Sequence, residues 1–143
     1  MNKEDICARI PHAGRMCLLA AVRAYSDNDI HCIATDHRDP QHPLRRHDRL
    51  HALCGIEYAA QAMAVHGRLL AGDGAKPAVG LIASVRDVRL LAQRLDDVAA
   101  ALDIHATRLG GDAQAFIYEF DITAEARLLL AGRIAVKLLA AAP

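Results

Sequence analysis

The sequence is poor in aromatic side chains, with three Tyr, two Phe and no Trp among 143 residues. A core of small and aliphatic side chains buries modest area per residue, so extra burial between subunits is expected. An excess of one charge sign is also lacking. Lys and Arg total 17, as do Asp and Glu, so the dense cationic surface that nucleic-acid backbones require is missing. No apolar stretch can cross a bilayer, because the most apolar one, from Leu128 to Pro143, is broken by Arg133 and Lys137. The opening Met-Asn-Lys-Glu-Asp leads into no apolar secretory segment. Neither nucleic acid nor membrane insertion is expected, and the expected location is cytoplasmic. Cysteine is scarce: Cys7, Cys17, Cys32 and Cys54 form no Cys-x-x-Cys pair. They fit neither a zinc knuckle nor a disulfide framework and read as free, buried thiols.

Apolar residues make up 53% of the chain and charged ones 24%, which excludes a disordered tail and suits one domain spanning residues 1–143. A short starting helix is expected before Ile10-Pro11-His12-Ala13-Gly14, with β structure over Met16–Tyr25. Ser26-Asp27-Asn28-Asp29 supplies a turn into a returning strand, Ile30–Thr35. The polar stretch from Asp36 to His51 holds His37, His42, His47 and His51 and reads as a functional loop. Leu53–Leu70 is rich in Ala, Leu, Met, Glu and Gln and predicts the main helix, with Ile56, Ala60, Met63, Ala64 and Gly67 as its apolar stripe. Gly72-Asp73-Gly74 ends it. Strands are expected over Ala78–Val85, continuing through Val88–Leu91, and over Phe116–Ile122 and Leu128–Leu139, while Ala99–Leu109 is ambiguous. Gly110-Gly111 reads as a two-residue hairpin turn. The order is α+β, an antiparallel sheet able to wrap one long helix.

Glu57 and Gln61 are four residues apart and share a helix face among small apolar neighbours. A carboxylate in such a setting suits a general acid, since desolvation favours its protonated form; near the first helical turn it also suits the helix dipole alone. A loop histidine suits a general base, because its ordinary pKa lies close to neutrality. The spacing of the four histidines matches no zinc pattern, so no metal is expected. Arg45, Arg46 and Arg49 make a positive run that is either a solvated face or a contact for a phosphate or an acidic protein.

Three segments then carry a resemblance. Pro11-His12-Ala13-Gly14-Arg15-Met16-Cys17-Leu18-Leu19, His42-Pro43-Leu44 and Ile56-Glu57-Tyr58-Ala59-Ala60-Gln61-Ala62-Met63-Ala64 resemble motifs of the hotdog-fold beta-hydroxyacyl-(acyl carrier protein) dehydratases. The branch most resembled is the predicted 3-hydroxyacyl carrier dehydratases associated with aryl polyene or xanthomonadin-type pigments. The resemblance implies a hotdog fold and removal of water from a 3-hydroxyacyl-(acyl carrier protein) thioester to give the trans-2-enoyl thioester, in fatty-acid-like or polyene biosynthesis. It implies His42 as the catalytic histidine, Glu57 as the acid, Gln61 as the residue that orients it, and His12 as a pocket-forming position. It further implies an acyl carrier protein partner, a homodimer or mixed hotdog dimer, and no cofactor beyond the phosphopantetheine on the substrate. The Pro-Gly pair that precedes the acid in familiar members is replaced here by His51-Ala52-Leu53. That leaves the Ala52 N–H as the expected oxyanion donor, and His47 or His51 as alternative bases. An acyl thioesterase and a non-catalytic acyl-tunnel subunit are the competing functions.

Overall fold

A computed structural model describes residues 1–9, 14–72, 79–112 and 114–139. Helix α1, Lys3–Cys7, is capped by the Asn2 side chain, which accepts from the Asp5 N–H. Strands β1, Ala21–Tyr25, and β2, Asp29–Ala34, are joined by the expected turn, in which the Ser26 hydroxyl lies 2.6 Å from the Asp29 carboxylate. The polar loop follows and delivers the chain through a short 3-10 turn, Ala52–Cys54, into α2, Gly55–Ala71. Strands β3 (Val79–Leu90), β4 (Leu102–Gly111), β5 (Ala115–Ala124) and β6 (Arg127–Leu139) complete the chain. They form a six-stranded antiparallel sheet in the order β1-β2-β4-β5-β6-β3. One long helix wrapped by a curved antiparallel sheet is the hotdog architecture.

Strand register explains the wrap. Cys32, Ile104, Ile122 and Leu130 lie opposite one another across β2, β4, β5 and β6, as do Ile30, Ala106, Phe120 and Gly132. All of these point to the helix side, because alternation puts one residue in two on a given face. The helix answers with Tyr58, Ala59, Ala62, Met63 and Val65, all buried. Its first residue lies tight on the sheet: a Cβ on Gly55 would sit 2.8 Å from both Leu130 Cδ atoms. A larger residue there would lift the N-terminal end of α2 away from β5 and β6.

Four expectations need correction. Gly14–Met16 is a 3-10 turn and pairing begins at Ala21, so the β reading from Met16 started too early. The buried face of α2 runs through residues 55, 58, 59, 61, 62, 63, 65 and 66, so Met63 of the expected stripe is buried as expected, whereas Ile56, Ala60 and Ala64 are half-buried and Gly67 is exposed. An alanine-rich helix gives little apolar contrast, and its polar Tyr58, Gln61 and His66 turn inward because each finds hydrogen-bond partners there. The β4–β5 hairpin turns a few residues later than Gly110-Gly111, with Gly111 still paired to Phe116. The Asp112 carboxylate accepts the Gln114 and Ala115 N–H groups and so sets the turn. Finally, Cys7 and Cys17 form a disulfide, with Cα atoms 5.8 Å apart. The pairing is tertiary: Asn2 bridges to Ala21, laying α1 beside the chain that enters β1. Cys32 and Cys54 are free thiols. Asp73 and Gly74 lie outside the described residues.

Candidate active site

The polar loop is held from below by the β3–β4 connection. Leu95 N–H donates to Leu50 O at 2.8 Å and Ala52 N–H to Gln93 O at 3.0 Å. The buried Asp96 carboxylate accepts the Leu50 N–H at 2.9 Å and pairs with the Arg94 guanidinium. That hydrogen bond from Arg94 holds the Asp96 carboxyl well below the ordinary aspartate range. His37 is buried too and donates from Nε2 to Val98 O at 2.9 Å.

His42 is fastened within this frame. Leu44 N–H donates to its Nδ1 at 3.1 Å, and its Nε2 lies 2.9 Å from the Tyr58 hydroxyl. Tyr58, from the first turn of α2, donates in turn to Asp36 Oδ1 at 2.6 Å. Burial, reinforced by the Asp36 charge, pushes the Tyr58 phenol far above its ordinary pKa, so it stays neutral. A cavity of about 300 Å³ opens here, lined by His42, Asp36, Asp39, Arg15 and Lys3 among others. Two of these lining residues, Arg15 and Asp39, pair at 3.0 Å.

Glu57 is half-buried. Gln61, buried one helical turn on, donates to Glu57 Oε1 at 3.3 Å and to Met16 O at 2.6 Å, while its own carbonyl accepts Leu18 N–H at 2.9 Å. One amide therefore fastens α2 to the segment entering β1 and touches the carboxylate. Adjacent helical residues diverge by about 100°, so Tyr58 points to His42 while Glu57 points to Gln61. His42 and Glu57 thus sit at one end of α2, each with its own partners.

The remaining candidates lie apart from this pair. His47 is exposed at the tip of a tight turn, with His47 and Asp48 both at positive φ and Arg46 and Arg49 exchanging backbone hydrogen bonds. His51 is exposed and its Nδ1 accepts the Leu53 N–H at 3.0 Å, capping the 3-10 turn. The Ala52 N–H, expected to meet the thioester oxygen, is engaged by Gln93 O, so an oxyanion contact there requires that bond to be exchanged. Arg45 is tied to Asp48 O and lies 3.8 Å from Asp96 Oδ2. Arg46 folds back on the Pro43 and Arg45 carbonyls, and Arg49 is exposed. His12 lies outside the described residues. Among the described residues no cluster of three or more His, Cys, Asp or Glu side chains is arranged to hold a metal. No described helix is long and apolar enough to cross a membrane. Asp36 and Tyr58 are not among the residues that the sequence singles out, and the local signal for Tyr58 is that it adjoins Glu57.

Comparison with known proteins decides the family. The ApeP-like family, described as ApeP dehydratase, matches residues 4–139. The chain belongs to that family. It is a hotdog-fold dehydratase, and dehydration of a 3-hydroxyacyl-(acyl carrier protein) thioester, which the resemblance implied, is the reaction that this membership supports. Among solved structures, the dehydratase heterocomplex ApeI:P from Xenorhabdus doucetiae is 27% identical, with 94% of this chain and 91% of that one covered at a TM-score of 0.82. AziG from S. sahachiroi is 14% identical, with 86% and 92% covered at a TM-score of 0.62. Thioesterase PA1618 from Pseudomonas aeruginosa is 11% identical, with 97% and 94% covered at a TM-score of 0.68. These last two likenesses establish the fold alone, and the ApeP-like match stands apart from them. No curated protein matches the chain significantly.

Proposed function

We propose that His42 and Glu57 carry the elimination, His42 as base and Glu57 as acid. The proton on C2 of the substrate passes to the imidazole, and the C2 electron pair becomes the C2–C3 double bond. The C3–O bond breaks, and the hydroxyl leaves as water with the Glu57 proton. The observation that supports this reading best is the grip of Gln61 on Glu57, with the buried His42 at the same end of α2. A carboxylate held by a buried amide and an imidazole held by a buried phenol are preorganised groups, which an exposed histidine such as His47 is not.

The acyl group arrives on a carrier protein. Exposed Arg46 and Arg49 lie on the same loop as His42 and offer positive charge to a phosphopantetheine phosphate or an acidic carrier surface. The ApeI:P structure is a heterocomplex, and a mixed hotdog assembly is proposed for this chain as well. Strand β3 is the natural seat for the second subunit: it forms an edge of the sheet and exposes Leu81, Ile82, Val85 and Leu90.

Single substitutions assign the base. With a 3-hydroxyoctanoyl-loaded carrier and any subunit that co-purifies, His42→Ala is expected to lower kcat by about 100-fold or more. His47→Ala and His51→Ala are expected to stay within about threefold of wild type, and turnover lost only in His51→Ala would move the base to that residue.

A further inference from the structure

Three side chains from three separate segments converge beside the cavity: Asp36 from the 3-10 turn after β2, His42 from the loop and Tyr58 from α2. Hydrogen-bond directions follow from the donor each group carries. Leu44 N–H occupies the lone pair of His42 Nδ1 at 3.1 Å, which puts the ring proton of the neutral imidazole on Nε2. That N–H faces the Tyr58 hydroxyl at 2.9 Å and Asp36 Oδ2 at 3.4 Å. The hydroxyl accepts from the imidazole and donates its own proton to Asp36 Oδ1. Both carboxylate oxygens therefore face donors, and the carboxylate is where the network ends. Exposure follows the same order: the His42 side chain is 0% exposed and that of Asp36 21%, and both residues line the cavity.

We infer that Asp36 and Tyr58 are positioning residues for His42, fixing its proton on Nε2 and leaving Nδ1 as the nitrogen that accepts the substrate proton. The inference rests on the reading of His42 as the base. An imidazole that gains a proton in a buried site becomes a cation, and a buried cation without a counter-charge is strongly disfavoured. Asp36 supplies that charge through the Nε2 side of the ring, directly and through the Tyr58 hydroxyl. The same division of labour operates wherever a carboxylate orients a histidine base from the nitrogen that does not react. The bond from Leu44 to Nδ1 spans only two residues, and proton uptake at Nδ1 requires that N–H to turn away from the lone pair it occupies.

Two variants, Asp36→Asn and Tyr58→Phe, test this in the full chain with histidine labelled by nitrogen-15. In wild type, long-range proton–nitrogen correlation spectra are expected to show His42 as a single tautomer protonated at Nε2. In Asp36→Asn the amide NH2 meets one of the two donors head-on, and the spectrum is expected to show a mixture of tautomers. With the carrier substrate, kcat is expected to fall about tenfold or more in both variants, with KM within about twofold and partial recovery in Asp36→Glu. Tyr58→Phe keeps the ring and its packing, so it remains informative if Asp36→Asn fails to fold. A wild-type tautomer protonated at Nδ1, an unchanged His42 spectrum in Asp36→Asn, or unchanged kcat in Tyr58→Phe overturns the inference. If His42→Ala abolishes turnover while these variants keep it, only the inference falls; if His42→Ala retains full turnover, the base assignment falls with it.

Discussion

At the scale of single residues, the polar atoms inside this protein are mostly committed. His66 is buried, receives the Tyr118 hydroxyl at Nδ1 at 2.6 Å and donates from Nε2 to Ser26 O at 2.8 Å, tying the middle of α2 to the β1–β2 turn. Asp96 gives the clearest pH signature. Its native carboxyl is held far below the ordinary range, so the stabilisation is complete above the unfolded aspartate value, near pH ~4, and fades as pH falls toward the native value. Asp96→Asn is therefore expected to cost about 1–3 kcal/mol at neutral pH, with the gap to wild type narrowing in acid; urea melts at pH 7 and pH 3 measure it. The cysteines give a second signature. Burial pushes the Cys32 thiol up to about 12 and raises Cys54 as well. Denatured, unreduced protein is expected to take up two alkyl groups, on Cys32 and Cys54, and reduced protein four, as read by intact mass. Four before reduction would contradict the Cys7–Cys17 bond. That bond was not legible in the sequence, because partners ten residues apart meet only once α1 has packed beside the chain entering β1.

At the scale of elements, the strands and the helix were largely legible, because period-two and i+4 patterns are written into local sequence. Phe116–Ile122 alternates and is a strand; Leu53–Leu70 lacks β-branched crowding and is a helix. The exact helix face and hairpin register were not, since alanine on both sides of α2 and glycine beside an Asx turn leave those choices to tertiary packing. The site was legible in part. Glu57 and Gln61 share a face by spacing alone, whereas the Asp36–His42 pair is completed by Tyr58, which lies twenty-two residues beyond Asp36 in sequence. Gly111 provides a test at this scale. Its φ of 137° is one that side chains avoid, and a Cβ there would run into the Ala115 carbonyl oxygen. Gly111→Ala is expected to lower stability by about 1–3 kcal/mol without moving kcat, as thermal melts and turnover together would show.

At the scale of the whole molecule, β3 is the element left unfinished. Leu81 is 50% exposed and its neighbour Ile82 44%, although successive strand residues point to opposite faces. A strand apolar on both faces at a sheet edge needs cover on both, which one added subunit can supply through its own sheet and helix. Leu81→Lys is expected to shift the assembly toward monomer in light scattering; an unchanged mass would place the interface elsewhere. The proposed assembly frames the central proposal, that Glu57 and His42 meet an acyl chain in this fold and remove water from it. The most direct measurement is the intact mass of a 3-hydroxyoctanoyl-loaded carrier after incubation with wild-type or Glu57→Gln protein, each with any subunit that co-purifies. The account predicts a carrier lighter by one water with wild type and an unchanged carrier with Glu57→Gln at an undisturbed melting temperature. Release of the free acid by wild type, or full water loss with Glu57→Gln, would contradict it.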